Sequence, residues 1–345
     1  MNAPQLRLVA LEITRSCPLA CRHCRGDSHD RAYEDELRSG EISAILDSIA
    51  SFARPILIIT GGEPLTRPDV FDIAARSSAL GFRTTLATCG RELTGETVTK
   101  LLDAGVSRIS VSLDGASPST HDGFRGVPGA FDAAIRGIKT ARNRGLPFQI
   151  NSTLTALNAW ELEALHGLAS SLGAAGFHPF LLVPTGRGRE LSGSALSPQE
   201  YERILGDIAR IAADSPLEIK PTCSPHYIRI AGSPARGMTM GCLGGRGFVF
   251  ISHRGKVQIC GFLECEAGDL RREGYDMKRV WETSPLFLDV RDTARYGGKC
   301  GRCEYVRVCG GCRARAFAAS GDHLGEEPDC AYQPARRRTG DTVPT

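Results

Sequence analysis

Three cysteines lie close together near the N-terminus, in the pattern Cys17-x3-Cys21-x2-Cys24. Three thiolates at this spacing can bind three irons of a four-iron cluster, and the fourth iron would then be open to a small molecule. A zinc site with His23 as a further ligand, or a group of structural thiols, is the alternative. Zinc sites favour pairs of cysteines separated by two residues. The spacing therefore favours an iron–sulfur site that binds a second molecule.

A second group of cysteines lies beyond residue 240. Its members are Cys242, Cys260, Cys265, Cys300, Cys303, Cys309, Cys312 and Cys330. Eight thiolates are enough for two clusters with four ligands each. A zinc ribbon fits less well, because only five residues separate Cys303 from Cys309 and the two halves of a ribbon are usually further apart. We expect the isolated Cys89 to be a buried thiol rather than a ligand.

Polar and glycine-rich motifs follow two of the predicted strands. Thr60-Gly61-Gly62-Glu63-Pro64 follows one strand, and Ser110-Val111-Ser112-Leu113-Asp114-Gly115 ends another, with Arg125 ten residues later. Paired glycines allow a ligand to approach the backbone closely, and an arginine can pair with a carboxylate. Because ligands of parallel sheets bind at the carboxyl ends of the strands, these motifs and the cysteine loop are expected to meet there.

The elements that must position these residues alternate between strand and helix. We predict strands at 8–13, 56–60, 83–87, 108–113, 147–153 and 176–183, and helices at 40–53, 69–80, 94–104, 129–143, 159–172 and 197–212. Thr94 and Ser197 are suitable helix caps. Such alternation is typical of an α/β fold with a parallel sheet, either an open doubly wound sheet or a partial barrel.

The texture of the sequence changes after about residue 215. Gly, Pro and Cys become frequent and helical periodicity fades, so we expect little apolar core there and a structure held together by bound metal. A hairpin is predicted around the turn His253-Arg254-Gly255. Residues 336–345 are predicted to be a disordered tail.

The composition restricts the class of protein. The chain has 345 residues, of which 41% are hydrophobic and 23% charged, and its net charge is +3. These values are typical of a soluble globular protein and give no electrostatic case for a nucleic-acid or membrane partner. Glu12 and Arg15 interrupt the apolar N-terminal stretch, so it does not read as a signal peptide and we expect a cytoplasmic protein. In a reducing compartment, clustered cysteines bind metal more often than they form disulfides.

The cysteine loop after the first strand, together with GGEP after the second, resembles the radical S-adenosylmethionine (SAM) superfamily. The resemblance implies a partial (β/α)6 barrel over residues 1–215 and a [4Fe-4S] cluster on Cys17, Cys21 and Cys24. SAM binds the fourth iron in this family and is cleaved to a 5′-deoxyadenosyl radical. The resemblance further implies SAM contacts from Gly62, Glu63, Ser112, Arg125 and Leu181.

Residues 216–335 resemble the SPASM domain, which carries one or two auxiliary [4Fe-4S] clusters. The resemblance assigns one cluster to Cys300, Cys303, Cys309 and Cys330. A second would involve Cys242, Cys260 and Cys312, with Cys265 as the expected fourth ligand. In the common SPASM spacing three residues separate the cysteines at 309 and 312, whereas this chain has two, which leaves the number of auxiliary clusters open.

The segments GGEPLTRPDVFDIA, FHPFLLVPTGRGREL and KPTCSPHY are similar to the tetrapyrrole-modifying branch of these enzymes, which includes the didecarboxysiroheme deacetylase and the haem d1 enzyme NirJ. The resemblance implies that the radical fragments a carboxylate side chain of a tetrapyrrole in haem biosynthesis, with a flavodoxin or ferredoxin as electron donor. Candidate substrate residues are Arg187, Arg189, His178 and His226.

Three alternatives stay open at this point. One is the radical decarboxylation or oxidation of another small acid. Another is the radical modification of a ribosomal peptide, which commonly needs a leader-binding domain, and few residues precede Leu6 here. A cluster carrier or electron-transfer module is the non-enzymatic alternative, and the GGEP and SLDG motifs count against it.

Overall fold

The computed structural model describes residues 3–232 and 241–335. Within these residues the strands form one sheet in the order β10-β9-β8-β1-β2-β3-β4-β5-β6-β7. Its centre consists of β1 (Leu8–Thr14), β2 (Ile56–Gly61), β3 (Arg83–Thr88), β4 (Arg108–Ser112), β5 (Phe148–Leu154) and β6 (Gly176–Leu181). All neighbours among these six strands are parallel. The predicted parallel α/β fold is confirmed.

Helices connect the parallel strands. They are α1 (Ser39–Ala50), α2 (Val70–Ala79), α3 (Gly95–Asp103), α4 (Pro118–Arg125), α5 (Ala130–Asn143), α6 (Leu162–Leu172) and α7 (Pro198–Asp214). Thr94 caps α3, and Ser197 with Glu200 forms a capping box on α7. Among the described residues no helix is both long enough and apolar enough to cross a membrane.

Among the helices that connect the parallel strands, α4 was not predicted from the sequence. Its residues PSTHDGFR contain a single large apolar side chain, Phe124, so helical periodicity is weak. The helix instead begins at a capping signal, because the Ser117 side chain accepts from the Thr120 N–H and Pro118 occupies the first turn. It ends at Gly126, whose φ of 68° lies in the left-handed region that glycine adopts without strain. The turn of chain between β4 and β5 therefore carries two helices, and Arg125 is the last residue of the first.

The C-terminal part extends the same sheet. Its elements are β7 (Glu218–Ile219), α8 (Tyr227–Ile230), β8 (Phe248–Ile251), β9 (Lys256–Gln258), β10 (Gly268–Asp269), α9 (Met277–Thr283), α10 (Pro285–Arg291), α11 (Gly298–Gly301) and α12 (Arg313–Ser320). The predicted hairpin is confirmed as the antiparallel pair β8–β9. Strand β8 also pairs in parallel with β1, so the sheet continues across the domain boundary predicted near residue 215. That boundary stays a prediction, and the predicted tail at 336–345 lies outside the described residues.

The expectation of little apolar core after residue 215 is wrong for residues 248–290. Val249, Ile251 and Met277 are fully buried, and Trp281 packs on Phe287 at 5.1 Å between ring centroids. These side chains are spread over short elements, so no helical period reveals them in the sequence. Burial of each large apolar side chain contributes roughly 1.5–3 kcal/mol. This part of the chain therefore has apolar support on the sheet.

Candidate functional site

The loop between β1 and α1 brings the thiols of Cys17, Cys21 and Cys24 into one small apolar cluster. Cys17 and Cys21 are buried and Cys24 is half-buried. Burial raises the pKa of the Cys17 thiol to about 12. The Ala20 N–H donates to the Arg125 carbonyl at 3.1 Å, so the end of α4 supports the loop. The three thiols that the sequence singled out therefore lie together at the carboxyl end of β1.

Arg125 connects this loop with the end of β4. Its Nη1 atom lies 3.6 Å from Cys21 Sγ, and its Nη2 atom lies 2.6 Å from Asp114 Oδ2. Burial alone lowers the pKa of the guanidinium, but the charges of Asp114 and Cys21 raise it above its usual range. The Thr153 N–H donates to Asp114 Oδ1 at 2.8 Å and fixes the carboxylate. A buried positive charge is thereby held beside Cys21. The sequence had indicated its partner, Asp114, through the SLDG motif.

The arginine pair after β6 divides into two different environments. Arg187 donates from Nε to the Cys21 carbonyl at 2.9 Å, and from Nη1 to Asp27 Oδ1 at 2.8 Å and to the Ser28 carbonyl at 2.9 Å. Its Nε and Nη1 atoms are thus engaged by the cysteine loop. Arg189 is about two-thirds exposed, at 67%, and lies 3.6 Å from Glu264. Of the two, Arg189 is the one whose charge faces solvent.

The GGEP segment packs directly on the cysteine loop. A Cβ atom on Gly62 would lie 2.3 Å from the Ser16 carbonyl oxygen, so only glycine fits there. The Glu63 N–H donates to the same carbonyl at 2.8 Å. The buried Glu63 carboxylate accepts from Thr88 Oγ1 at 2.8 Å and from the Cys89 N–H at 2.7 Å. Backbone contact at Gly62 and side-chain contact at Glu63 therefore join β1, β2 and β3 at one point.

The two remaining predicted SAM contacts lie at strand ends. Ser112 is half-buried at the end of β4, paired in the sheet with Asn151. Leu181 is buried as the last residue of β6. Both therefore lie at the carboxyl edge of the sheet that also carries the cysteine loop.

Two predicted histidines have different surroundings. Nε2 of His23 lies 3.4 Å from Asp114 Oδ2, and burial lowers the pKa of His23 to about 4. His178, on β6, has its Nδ1 atom 3.0 Å from Gln149 Nε2 and its Nε2 atom 3.7 Å from Glu218 Oε1. Burial also lowers the pKa of His178. His23 therefore faces Asp114, after β4, whereas His178 faces side chains of β5 and β7.

Glu12, buried in β1, has three hydrogen-bond donors around its carboxylate. The sequence analysis did not predict this role for Glu12. Its carboxylate accepts from Arg15 Nη2 at 3.0 Å, from Arg25 Nη2 at 3.2 Å and from the His253 N–H at 3.1 Å. Burial raises the pKa of Glu12, but Arg25, His253 and Arg15 together lower it far below the usual range. Arg25 also lies over the Phe250 ring at 4.5 Å. One carboxylate thus joins the residue after Cys24 to the β8–β9 hairpin.

Four thiols line one cavity beside α11: those of Cys300, Cys303, Cys309 and Cys330. The Glu327 N–H donates to Cys300 Sγ at 3.3 Å, and the Gly311 N–H donates to Cys309 Sγ at 3.5 Å. His226 lines the same cavity. It is buried, and neither ring nitrogen has a hydrogen-bond partner among the described residues. The structure thus places this predicted substrate histidine at the wall of a thiol-lined cavity.

The thiols of Cys242, Cys260 and Cys312 form a neighbouring group. Burial, together with the charges of Cys312 and Cys242, raises the pKa of Cys260 above its usual range. Burial is also the main cause that raises the pKa of Cys312 to about 11. The Cys242 N–H donates to the Cys309 carbonyl at 2.8 Å, so this group lies beside the four-thiol cavity.

Two further cysteines differ from expectation in their neighbours. The charged group that raises the pKa of Cys265, after burial, is Glu264 rather than another thiol. Cys223, to which the sequence analysis gave no role, has Cys312, Cys260 and Cys242 as its electrostatic neighbours. Within residues 3–232 and 241–335, no three Cys, His, Asp or Glu side chains converge closely enough to hold a single metal ion.

The sequence of the chain is similar to a known family and to several named proteins. The sequence model of the Radical SAM superfamily matches residues 11–169. The chain is 47% identical to the "AdoMet-dependent heme synthase" of Methanosarcina barkeri over 97% of its own length and 99% of that protein. It is 29% identical to the "Pre-heme d1 synthase" of Dinoroseobacter shibae, covering 97% of this chain and 89% of that one.

A solved structure shares the fold. The crystal structure of Streptococcus suis SuiB bound to S-adenosylmethionine superposes with a TM-score of 0.76 at 18% identity, over 95% of this chain and 78% of that one. At this identity the likeness concerns the fold alone.

Proposed function

The chain belongs to the radical SAM superfamily, whose members carry a [4Fe-4S] cluster and use SAM, and from this premise we propose that it fragments a carboxylate side chain of an iron tetrapyrrole in haem formation. The observation that carries the proposal is the 47% identity to an AdoMet-dependent heme synthase across nearly the full length of both chains. A relative named for haem d1 formation supports the same substrate class.

In this proposal Cys17, Cys21 and Cys24 hold the SAM-binding cluster. The donor set fits: the three thiols share one apolar pocket, and the Ser28 N–H donates to Cys24 Sγ at 3.3 Å. Arg125 adds a positive charge beside Cys21. Sulfur ligands with N–H donors and a cation directed at them are the environment in which iron–sulfur clusters are stable.

When bound, the cluster would supply the electron for cleavage of SAM, and the 5′-deoxyadenosyl radical formed from SAM would abstract a hydrogen atom from substrate. The protein's own residues hold the strand ends and the cysteine loop in position and contact SAM. Gly62 lets the β2 end approach the cysteine loop, and the Glu63 carboxylate holds the β3 end in register with it. The proposed SAM contacts lie at the ends of β2, β4, α4 and β6 on the same edge, and they are Gly62, Glu63, Ser112, Arg125 and Leu181.

The C-terminal thiols are proposed to hold auxiliary [4Fe-4S] clusters. Cys300, Cys303, Cys309 and Cys330 line one cavity, and backbone N–H groups donate to two of their sulfurs. Cys242, Cys260 and Cys312 belong to the second cluster. His226 is reassigned in this proposal from the substrate to the four-thiol cavity that it lines.

Arg189 is proposed to bind a substrate carboxylate. It follows β6 near the cysteine loop and is 67% exposed, so its charge is available to a ligand, whereas Arg187 positions the cysteine loop. His178 stays a candidate for contact with substrate at β6. A flavodoxin or ferredoxin is the proposed electron donor.

The test is anaerobic reconstitution with iron, sulfide, SAM and dithionite in the presence of iron tetrapyrroles that differ in their carboxylate side chains. We expect 5′-deoxyadenosine and a tetrapyrrole product whose mass has decreased. The mass change separates loss of a whole acetate side chain from loss of carbon dioxide alone. The matched control, Cys21→Ala, is expected to form neither product. Substrate-independent deoxyadenosine formation with every tetrapyrrole unchanged would overturn the proposed substrate class.

A further inference from the structure

We propose that Cys223 is the fourth thiolate ligand of the cluster held by Cys242, Cys260 and Cys312. The inference deepens the proposed function, because it rests on the presence of an auxiliary iron–sulfur cluster in this part of the chain. It replaces Cys265, which the sequence had suggested for the same position.

The backbone at Cys223 is held in a strained conformation. Its φ is +57°, and it is one of three non-glycine residues with positive φ among the described residues. Such a conformation is unfavourable for a residue with a side chain and persists where the surroundings enforce it. The Cys223 carbonyl accepts from Arg315 Nη2 at 2.6 Å and from Tyr201 Oη at 3.0 Å. The position of this cysteine is therefore fixed from two sides.

The same network fixes Cys312. Arg315 lies three residues after Cys312 and is fully buried, and it donates from Nε to Glu327 Oε1 at 2.9 Å. The other oxygen of Glu327 accepts from the Cys312 N–H at 2.7 Å. One arginine and one carboxylate thus tie Cys223, from the segment after β7, to Cys312 at the start of α12. Residues nearly ninety positions apart in the chain are held at the same place.

The thiols themselves are neighbours. Burial raises the pKa of Cys223 well above its usual value, and the charges of Cys312, Cys260 and Cys242 raise it further. Four thiols in electrostatic range of one another, one buried and three half-buried, would repel one another as thiolates. Metal binding removes this cost, because thiolates bound to iron share their charge with it. Cys265 lacks this relation: its thiol is influenced by Glu264.

The experiment uses the full chain with Cys17, Cys21 and Cys24 replaced by alanine, so that only auxiliary clusters bind. Into this background we introduce Cys223→Ala or, as the matched control, Cys265→Ala. Each variant is reconstituted anaerobically, and its iron and sulfide are counted and its Mössbauer spectrum recorded. We expect Cys223→Ala to lose about half of the auxiliary iron, or to convert one cluster to a form with an open iron that binds added imidazole. Cys265→Ala is expected to match the background protein.

A second measurement needs no substitution. Wild-type apo and reconstituted protein are alkylated in dilute urea, and each cysteine is followed by mass spectrometry. We expect loading to protect Cys223 together with Cys242, Cys260 and Cys312, while Cys265 is alkylated equally in both forms. Unchanged iron and spectrum in Cys223→Ala, or protection of Cys265 instead, would overturn the inference and leave the proposed function intact. If the background protein binds no iron, or binds zinc, the auxiliary clusters of the proposed function fail instead.

Discussion

Three of the hydrogen bonds that hold the cysteine loop come from the guanidinium of Arg187. They reach the Cys21 carbonyl, the Ser28 carbonyl and the Asp27 carboxylate. The two carbonyl bonds lie on either side of Cys24, so they define the path of the chain between its second and third thiols. A side chain at the mouth of the parallel strands can thus position the thiols through backbone carbonyls.

We therefore expect Arg187→Ala to weaken iron retention at the N-terminal cluster. Hydrogen bonds made by a charged group contribute roughly 1.5–3 kcal/mol each, so loss of one or more should weaken retention by at least about tenfold. The measurement is the rate at which a chelator removes iron from protein whose C-terminal cysteines are replaced by alanine. Arg189→Ala is the control, since its exposed side chain pairs with Glu264 instead. Equal rates for the two variants would show that the Arg187 bonds are dispensable.

At the scale of residues, spacing predicted the thiols of the N-terminal loop but not the groups around them. Cys17, Cys21 and Cys24 are close in sequence, so their proximity follows from a short loop. Asp114 pairs with Arg125, and the charge of Cys312 influences the thiol of Cys223, 89 positions earlier in the chain. Neither contact leaves a periodic or local signal, so sequence reasoning could find these positions only by their motifs.

Strand β1 connects the two cysteine regions through Glu12. Its carboxylate accepts from Arg25, which follows Cys24, and from His253, which follows β8. Because β8 pairs with β1 in parallel, the two donors approach one buried position from neighbouring elements. The negative charge of Glu12 is thus balanced by Arg15 and Arg25, which lie before and after the cysteine loop.

We expect Glu12→Gln to destabilise the protein strongly. The substitution leaves Arg15 and Arg25 without their buried counter-charge, and breaking a buried ion pair costs roughly 3–5 kcal/mol. Thermal unfolding of the apo protein, followed by circular dichroism, measures the loss. Glu96→Gln is the control, because Glu96 pairs with Lys100 on the exposed surface of α3 and its removal should leave the midpoint unchanged. A midpoint for Glu12→Gln equal to that of wild type would contradict the structural role of the network.

At the scale of elements, the parallel strands and long helices follow from apolar periodicity and caps. The helix α4 and the junction of β8 with β1 do not. The first lacks an apolar stripe, and the second is a pairing between strands more than 230 residues apart, for which a sequence carries no local record. Which strands pair across such a separation is determined by the tertiary structure.

Across the whole molecule two kinds of stabilisation meet in the C-terminal part. Residues 248–290 pack apolar side chains such as Val249, Trp281 and Phe287 on the sheet. Residues 296–335 bury few apolar side chains beyond Tyr296, Ala314 and Ala316, and carry instead the thiols and the buried pair Arg315–Glu327. The first part resembles an ordinary core, whereas the second depends on polar and sulfur groups.

Removal of iron and sulfide should therefore unfold the C-terminal part unevenly. Metal binding supplies folding free energy where no apolar core does, so we expect residues 296–332 and 222–226 to lose protection against hydrogen exchange in the apo protein. Strands β8 and β9 and helices α9 and α10 should keep theirs, because their apolar side chains stay buried on β1 and α1 without a cluster. Hydrogen exchange of apo and reconstituted protein, read by mass spectrometry on peptides from each region, makes the comparison, with β2 and β3 as internal controls. Loss of protection throughout 241–332 would mean that the clusters also support the apolar part, and equal protection in both forms would mean that they support neither.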